Sequence, residues 1–222
     1  VIDSGSDDTA YLDELSKRKD SIVRRYSNIG FAAANNRGLE HLDPRCEYLL
    51  LLNPDTFLSE SAIEESLKAI KSLPDVAILT GLLEGYDSTH SCRTGKIDSS
   101  GIFRSWYGRW YDRGYGEAVG QQFQDRENIP AICGAFMFCR LSALKSELPA
   151  LFDESFFMYK EDIELCIRLS AKGWKLHYSP KIKAFHCRGW KQNRGKISRT
   201  MKLMSAENEI KMYKKHPSFY MI

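Results

Sequence analysis

The segment from Tyr48 to Thr56 reads YLLLLNPDT and constrains the fold more than any other stretch of the chain. Four consecutive leucines between polar residues predict a strand buried on both faces, as at the centre of a parallel sheet. Pro54 ends the run, because proline offers no amide hydrogen to the ladder and pushes Asn53 towards extended backbone. Asp55 therefore falls just past the carboxyl end of a central strand, the rim where open α/β sheets bind ligands. A carboxylate there can hold a divalent cation against a phosphate. It can equally cap the next turn through its own side chain.

Strands and helices alternate on either side. Val1 and Ile2 read as the end of a strand whose beginning is absent. Ser6 is the predicted N-cap of a first helix, with Asp7 and Asp8 at its positive end and Tyr11, Leu12 and Leu15 on its apolar side. A short strand is expected over Ser21–Tyr26. A glycine turn and an alanine-rich helix over Asn28–Leu42 follow, with side chains small enough to lie close against a sheet or ligand. Ser61 and Glu64 predict a capping box for a helix that shares Ile63, Leu67 and Ile70 on one face, and Val76–Leu83 reads as the next strand. This spacing is that of a doubly wound α/β domain.

The pattern lapses between Glu84 and Pro130, predicted to be a long irregular excursion. Its Trp106, Tyr107, Trp110, Tyr111 and Tyr115 suit either stacking on sugar rings or a satellite core beneath the loop. Ile132–Phe138 resumes as a strand carrying Gly134, where a side chain would obstruct a ligand or a neighbouring backbone. Phe152–Tyr159 leads into Glu161 and Asp162, which open a helix stopped by Gly173. Two short strands are expected on either side of Pro180, and a polar helix from about Arg199 to Lys215.

Composition fits one sizeable soluble domain: 222 residues, 43% of them hydrophobic and 27% charged. No apolar run approaches a membrane span, and the six cysteines lack CxxC spacing, which favours reduced thiols in a cytoplasmic protein. From Lys181 onward eleven Lys and Arg face two Glu, in a chain whose net charge is only +3. Such a basic tail suits an anionic partner, although a solvated helix face has the same composition. Walker, GxGxxG, Gly-x-Ser-x-Gly and HExxH motifs are all missing. P-loop NTPases, Rossmann dehydrogenases, α/β-hydrolases and common zinc proteases are therefore disfavoured.

Three positions stand out chemically. Glu161 and Asp162 occupy a helix first turn, where acids also serve the helix dipole without any catalytic purpose. The bulky FFMYK run before them suggests a partly dry cleft, in which desolvation and the helix N-terminus pull a carboxylate pKa in opposite directions. His186 ends a strand and suits either a structural hydrogen bond or a second metal ligand beside Asp55.

Taken in order, VIDSGSDD, NIGFAAANNRG, YLLLLNPDT, CGAFMF, LFDESFFMYKEDIELCIRLSAKGW and His186 resemble family 2 glycosyltransferases of the GT-A fold. Within them the set is most similar to bacterial rhamnosyl- and galactofuranosyl-transferase-like enzymes of surface polysaccharide synthesis. The resemblance implies an α/β domain with one doubly wound, mixed but mostly parallel sheet. Residues 1–83 would be the nucleotide-binding half without its first strand, 84–190 the acceptor and catalytic half, and 191–222 a basic helical tail. It implies nucleotide contacts from Asp3, Ser4, Asn36 and Asn53, and a Mg²⁺ or Mn²⁺ ion on Asp55 with His186. Asp162 would be the base, Glu161 its neighbour, and Arg168 a site-ordering or diphosphate residue. Two positions depart from the pattern: Asn35 stands where many relatives carry arginine, and Asn53 opens the DxD motif.

The implied reaction is metal-dependent, inverting transfer from a UDP- or dTDP-linked sugar to a glycan or lipid-linked acceptor. No nucleic acid is expected as a partner. The basic tail would meet the inner face of the membrane. A non-catalytic nucleotide- or glycan-binding remnant of the fold is the alternative. A sugar nucleotidyltransferase ranks lower, because its glycine-rich N-terminal loop is missing.

Overall fold

A computed structural model describes residues 1–120, 123–124, 126–188 and 199–217. The chain begins with β1 (Ile2–Ser4), α1 (Ala10–Ser16), β2 (Arg24–Tyr26), α2 (Gly30–Leu39), β3 (Tyr48–Leu52), β4 (Thr56–Leu58) and α3 (Ala62–Lys71). It continues with β5 (Val76–Asp87), β6 (Cys92–Ser99), β7 (Ile102–Arg104), β8 (Trp110–Asp112), β9 (Glu127–Asn128), β10 (Phe136–Arg140) and α4 (Leu141–Leu144). After a 3₁₀ turn at Glu154–Phe156 come α5 (Glu161–Ala171), β11 (Lys175–His186) and α6 (Arg199–Lys215). The start and end of the expected basic tail, 191–198 and 218–222, lie outside the described residues.

The main sheet runs β3-β10-β5-β11-β4, with β6 added to β5 and β9 to β11. An α/β architecture with a mixed sheet is therefore present, but it is less parallel than expected. Among the described residues only β1–β2 and β5–β11 pair in parallel. β10 returns between β3 and β5 and runs antiparallel to both, and β4, β6 and β9 also pair antiparallel to their neighbours.

That insertion also corrects the reading of the leucine run. β3 is the end strand of the main sheet, not a central one, so Leu51 is buried while Leu52 remains 39% exposed. The stretch from 84 to 130 is likewise more ordered than its composition suggests: β5 extends to Asp87, β6 pairs with it, and β7–β8 form a hairpin. Register shifts between Leu83 and Glu84 and between Glu84 and Tyr86 interrupt the two-residue alternation that a strand pattern needs. Pro180 falls in a similar shift, between Ser179 and Lys183, so the two pieces expected around it are one strand.

Helix starts differ too. The amide of Ser6 donates to Asp3 Oδ1 at 3.2 Å, and α1 begins only at Ala10, whose amide donates to Asp8 Oδ1 at 3.1 Å. Ser61 occupies the N-cap of α3 without a side-chain bond, so the capping box is not made. α3 turns Ala62, Ser66, Ala69 and Ile70 inward and leaves Ile63 40% exposed, because its small-residue side packs closest. α5 and α6 match their expected bounds, and Gly173 follows α5 with φ +88°.

Alternate side chains feed two cores. Ile78 and Met137 belong to one cluster, and their neighbours Leu79, Phe136 and Phe138 to the other, as the two faces of a sheet require. The first cluster takes in Phe152, Phe156, Ile163 and Leu169 around α5, together with Met212 of α6. The second includes Ala62, Ala69 and Ile70 of α3. Gly30 joins α2 to the segment before α5. At φ +82° it carries no side chain, and a Cβ there would stand 2.5 Å from the Phe157 carbonyl oxygen.

Candidate active site

Strand pairing brings Asp55 and His186 together. β4 runs antiparallel to β11 with Thr56 opposite His186, and the Cys187 amide donates to the Asp55 carbonyl at 3.0 Å. Asp55 Oδ1 then lies 3.3 Å from His186 Nε2. From the other side Asp98, on β6 and 1% exposed, places Oδ2 2.8 Å from His186 Nδ1. Arg188 continues the chain of charges: Nε donates to Asp98 Oδ1 at 2.5 Å and Nη2 to Asp112 Oδ2 at 2.6 Å.

The charges compensate one another. Burial disfavours the His186 imidazolium, but hydrogen bonds and attraction from Asp55 and Asp98 outweigh it and raise the pKa to about 9. Burial likewise opposes the Asp98 carboxylate, and its bonds to His186 and the Arg188 charge still hold it below the usual range.

The second cluster is built from acids and backbone amides. Asp162 Oδ2 accepts the Gly134 amide at 2.9 Å and Oδ1 the Ile163 amide at 2.8 Å. Gly134 leaves room for the Phe31 ring, since a Cβ would come within 3.1 Å of Phe31 Cζ. Glu161 is 5% exposed, and its Oε2 has no hydrogen-bond partner. Desolvation, then the Asp162 charge, raises Glu161 to about 8. Desolvation raises Asp162 also, opposed by its two amide bonds. The sequence left the balance between burial and helix terminus open, and burial prevails. Negative charge on the pair is favoured on Asp162, which the two amides stabilise, over Glu161, whose Oε2 lacks a partner. The Asp112 charge also pushes Asp162 up, which couples the two clusters electrostatically.

Other singled-out residues stand elsewhere or are already engaged. Asp3 and Ser4 lie on the separate two-stranded sheet. The Ser4 hydroxyl oxygen accepts the Ile29 amide at 3.0 Å, and Asp3 is buried. Asn36 uses its carboxamide on the Phe152 backbone, accepting at 2.9 Å and donating at 2.8 Å, and also donates to Glu154. Asn53 forms the turn after β3, with its carbonyl accepting the Thr56 amide at 3.1 Å. Arg168 is committed to Glu164, Glu147 and the Leu151 carbonyl. Of the aromatics, Trp106, Tyr107, Tyr111 and Tyr115 are exposed, while Trp110 packs on the first core.

Sequence reasoning missed Asp98 and Asp112. Both arrive through pairings in the stretch that looked irregular, and their only local signal is an acid embedded among strand-forming residues. Arg188, two positions after His186, was visible but carried no assigned role.

Among the described residues no three His, Cys, Asp or Glu side chains converge on a metal position. The pair present still fits a divalent ion. Asp98 accepts the Nδ1 hydrogen, so Nε2 faces the Asp55 carboxylate, and a Mn²⁺ or Mg²⁺ ion taking the place of the Nε2 proton would meet a nitrogen–oxygen donor set.

The sequence profile of "Glycosyl transferase family group 2" matches residues 48–201. The chain belongs to this family. Rhamnosyltransferase WbbL of Escherichia coli K12 is 47% identical over 53 residues, 24% of this chain and 19% of that protein. The N-acetylglucosaminyl-diphospho-decaprenol L-rhamnosyltransferase of Mycobacterium tuberculosis is 25% identical over 174 residues, 72% of this chain and 56% of that protein. The chain thus spans about half, or less, of the length of these curated relatives. GalNAc-T7 with UDP, GalNAc and Mn²⁺ superposes with a TM-score of 0.67 at 16% identity, covering 96% of this chain and 41% of that one. Mannosyltransferase PcManGT from Pyrobaculum calidifontis, with GDP-Man and Mn²⁺, gives 0.60 at 14% identity, covering 97% and 53%. The fold is GT-A.

Proposed function

We propose that this chain is the catalytic domain of a metal-dependent, inverting glycosyltransferase that moves a sugar from a nucleotide-diphosphate donor to a hydroxyl of a saccharide or lipid-linked acceptor. The observation that carries the reading is Asp162. It is a carboxylate that accepts two backbone amides beside Glu161, whose pKa burial raises, and it feels the charge of Asp112 at the end of the Asp55–His186 network. The rhamnosyltransferase relatives favour rhamnose as the transferred sugar, here on a UDP or dTDP carrier, and the diphospho-decaprenol in one of their names favours a lipid-linked acceptor.

In this mechanism Asp162 takes the proton of the acceptor hydroxyl as that oxygen bonds to the anomeric carbon. The bond to the nucleotide diphosphate breaks on the opposite face, inverting the configuration. Its raised pKa brings it nearer the working pH than an ordinary carboxylate. Asp55 and His186 would hold a Mg²⁺ or Mn²⁺ ion, which when bound neutralises charge on the departing diphosphate. Asp98 fixes the imidazole so that Nε2 faces Asp55. Asp3, Ser4, Asn36 and Asn53 would serve the nucleotide half, the last two by shaping the backbone that encloses it. Arg168 would order the site from α5.

A lipid-linked acceptor calls for work at the membrane's inner face. α6 supports this by turning Leu203 and Ile210, 53% and 57% exposed, outward along with exposed Lys202 and Lys214. No helix among the described residues is long and apolar enough to cross a membrane.

The test is a transfer assay with dTDP- and UDP-sugars, Mn²⁺ and a polyprenyl-diphosphate-linked saccharide, with the product linkage read by NMR. The expected product has the anomeric configuration opposite to the donor's. A retained configuration would remove Asp162 from its role.

A further inference from the structure

Helix α6 carries a buried polar side chain that this chemistry does not use. Asn208 is 4% exposed, and its Nδ2 lies 2.7 Å from the carbonyl oxygen of Phe156, 2.8 Å from that of Met158 and 3.0 Å from that of Tyr159. Carbonyls only accept, so the amide nitrogen must face them.

The segment it grips leads straight into Glu161 and is held in an unfavourable backbone shape. Phe157, Tyr159 and Lys160 have φ of +50°, +75° and +74°, and none is glycine. Side-chain-bearing residues persist in that region only where their surroundings impose it. The imposing contacts come from two directions. The Phe157 carbonyl accepts the Phe31 amide at 2.7 Å and the Ala32 amide at 3.3 Å, while α6 closes on the other carbonyls through Asn208. Neighbours on α6 reinforce the grip: Lys211 donates to the Ser155 carbonyl, and Lys215 pairs with Asp153 and Glu164.

We infer that Asn208 is a positioning residue, which fixes the left-handed turn at Phe157–Lys160 and so aims Glu161 and Asp162 into the cleft. The helix read from sequence as a basic tail is on this account part of the catalytic apparatus. The inference rests on the transfer reaction proposed above.

Two variants of the full chain separate positioning from general stability. Asn208→Ala removes the grip. Met212→Ala, on the same helix and 1% exposed in the first core, loosens α6 without touching those carbonyls. Below the melting temperature of both, Asn208→Ala is expected to lower kcat at least about tenfold with donor KM unchanged, since small misplacements of reacting groups are this costly. Amide exchange across 157–163 should quicken by a similar factor, whereas Met212→Ala should keep both near wild type. Equal losses of kcat in the two variants, or unchanged exchange in Asn208→Ala, would overturn the assignment. If the wild type transfers no sugar, the transfer reading fails by itself, and the exchange comparison alone confirms or overturns the grip.

Discussion

The two halves of the candidate site treat buried charge in opposite ways. Around His186 every charge has an opposite: Asp55, His186, Asp98, Arg188 and Asp112 alternate in sign. Asp98 is held low and His186 high, so both stay ionised despite burial. Around Asp162 acid predominates, and the Lys160 charge offsets it only in part. Glu161 has an oxygen without a partner and a pKa raised to about 8, and Asp162 depends on neutral backbone amides. Compensated charge suits holding a cation and a diphosphate in place, and the ion would take the position of the His186 Nε2 proton. Uncompensated acid suits moving a proton. On the proposed reading the fold separates these tasks: one set sits at the meeting of β4, β6 and β11, the other at the first turn of α5.

The largest effect should come from the uncompensated half. Asp162→Asn keeps the shape but accepts through one oxygen only and cannot take up a proton, so kcat should fall about a thousandfold. Nucleotide affinity, measured on the same sample by titration, should stay within a factor of two or three. Turnover near wild type would show that the two halves do not divide the work in this way.

Next is the compensated half. Asp98→Asn leaves the His186 and Arg188 charges buried without their shared partner, and breaking such a network costs about 3–5 kcal/mol. Urea denaturation should show a loss of that order together with weaker Mn²⁺ binding. A loss below about 1 kcal/mol would mean that the network is not the structural unit drawn here.

A smaller effect separates the halves by pH. The folded chain keeps a proton on Glu161 between its ordinary 4.5 and about 8, whereas the unfolded chain has released it. Wild-type stability should therefore decline as pH rises through that window, at up to about 1.4 kcal/mol per unit. Glu161→Gln has no such proton to lose, and its melting temperature should hold steadier from pH 5 to 8. Parallel curves for the two proteins would sharpen the picture the other way, by placing the retained proton on Asp162.

What the sequence disclosed follows the same division between local and distant causes. Tyr48–Leu52, α5 and α6 were legible because a leucine run, a first-turn acid pair and a helix stop are local signals. So was the position of Asp55, His186, Glu161 and Asp162 at the ends of their elements. The place of β3 at the sheet's end was not legible, because it depends on β10 arriving from 84 residues further on. Nor was the strand content between Glu84 and Pro130, where bulges break the alternation. Asp98 reaches His186 across 88 residues and Asn208 reaches Phe156 across 52, distances over which no periodicity carries information. Asn36 and Arg168 show the converse. Their residue types suit a ligand, and only the fold reveals that Phe152, Glu164 and Glu147 occupy them.

The most direct measurement is a calorimetric titration of the chain with dTDP and with UDP, each with and without Mn²⁺. One of the two should bind at least about tenfold more tightly with the metal, a difference of about 1.4 kcal/mol, and Asp55→Ala should abolish that gain. Equal affinity with and without Mn²⁺ in a folded sample would contradict a cation held by Asp55 and His186, and with it the proposed division of the site.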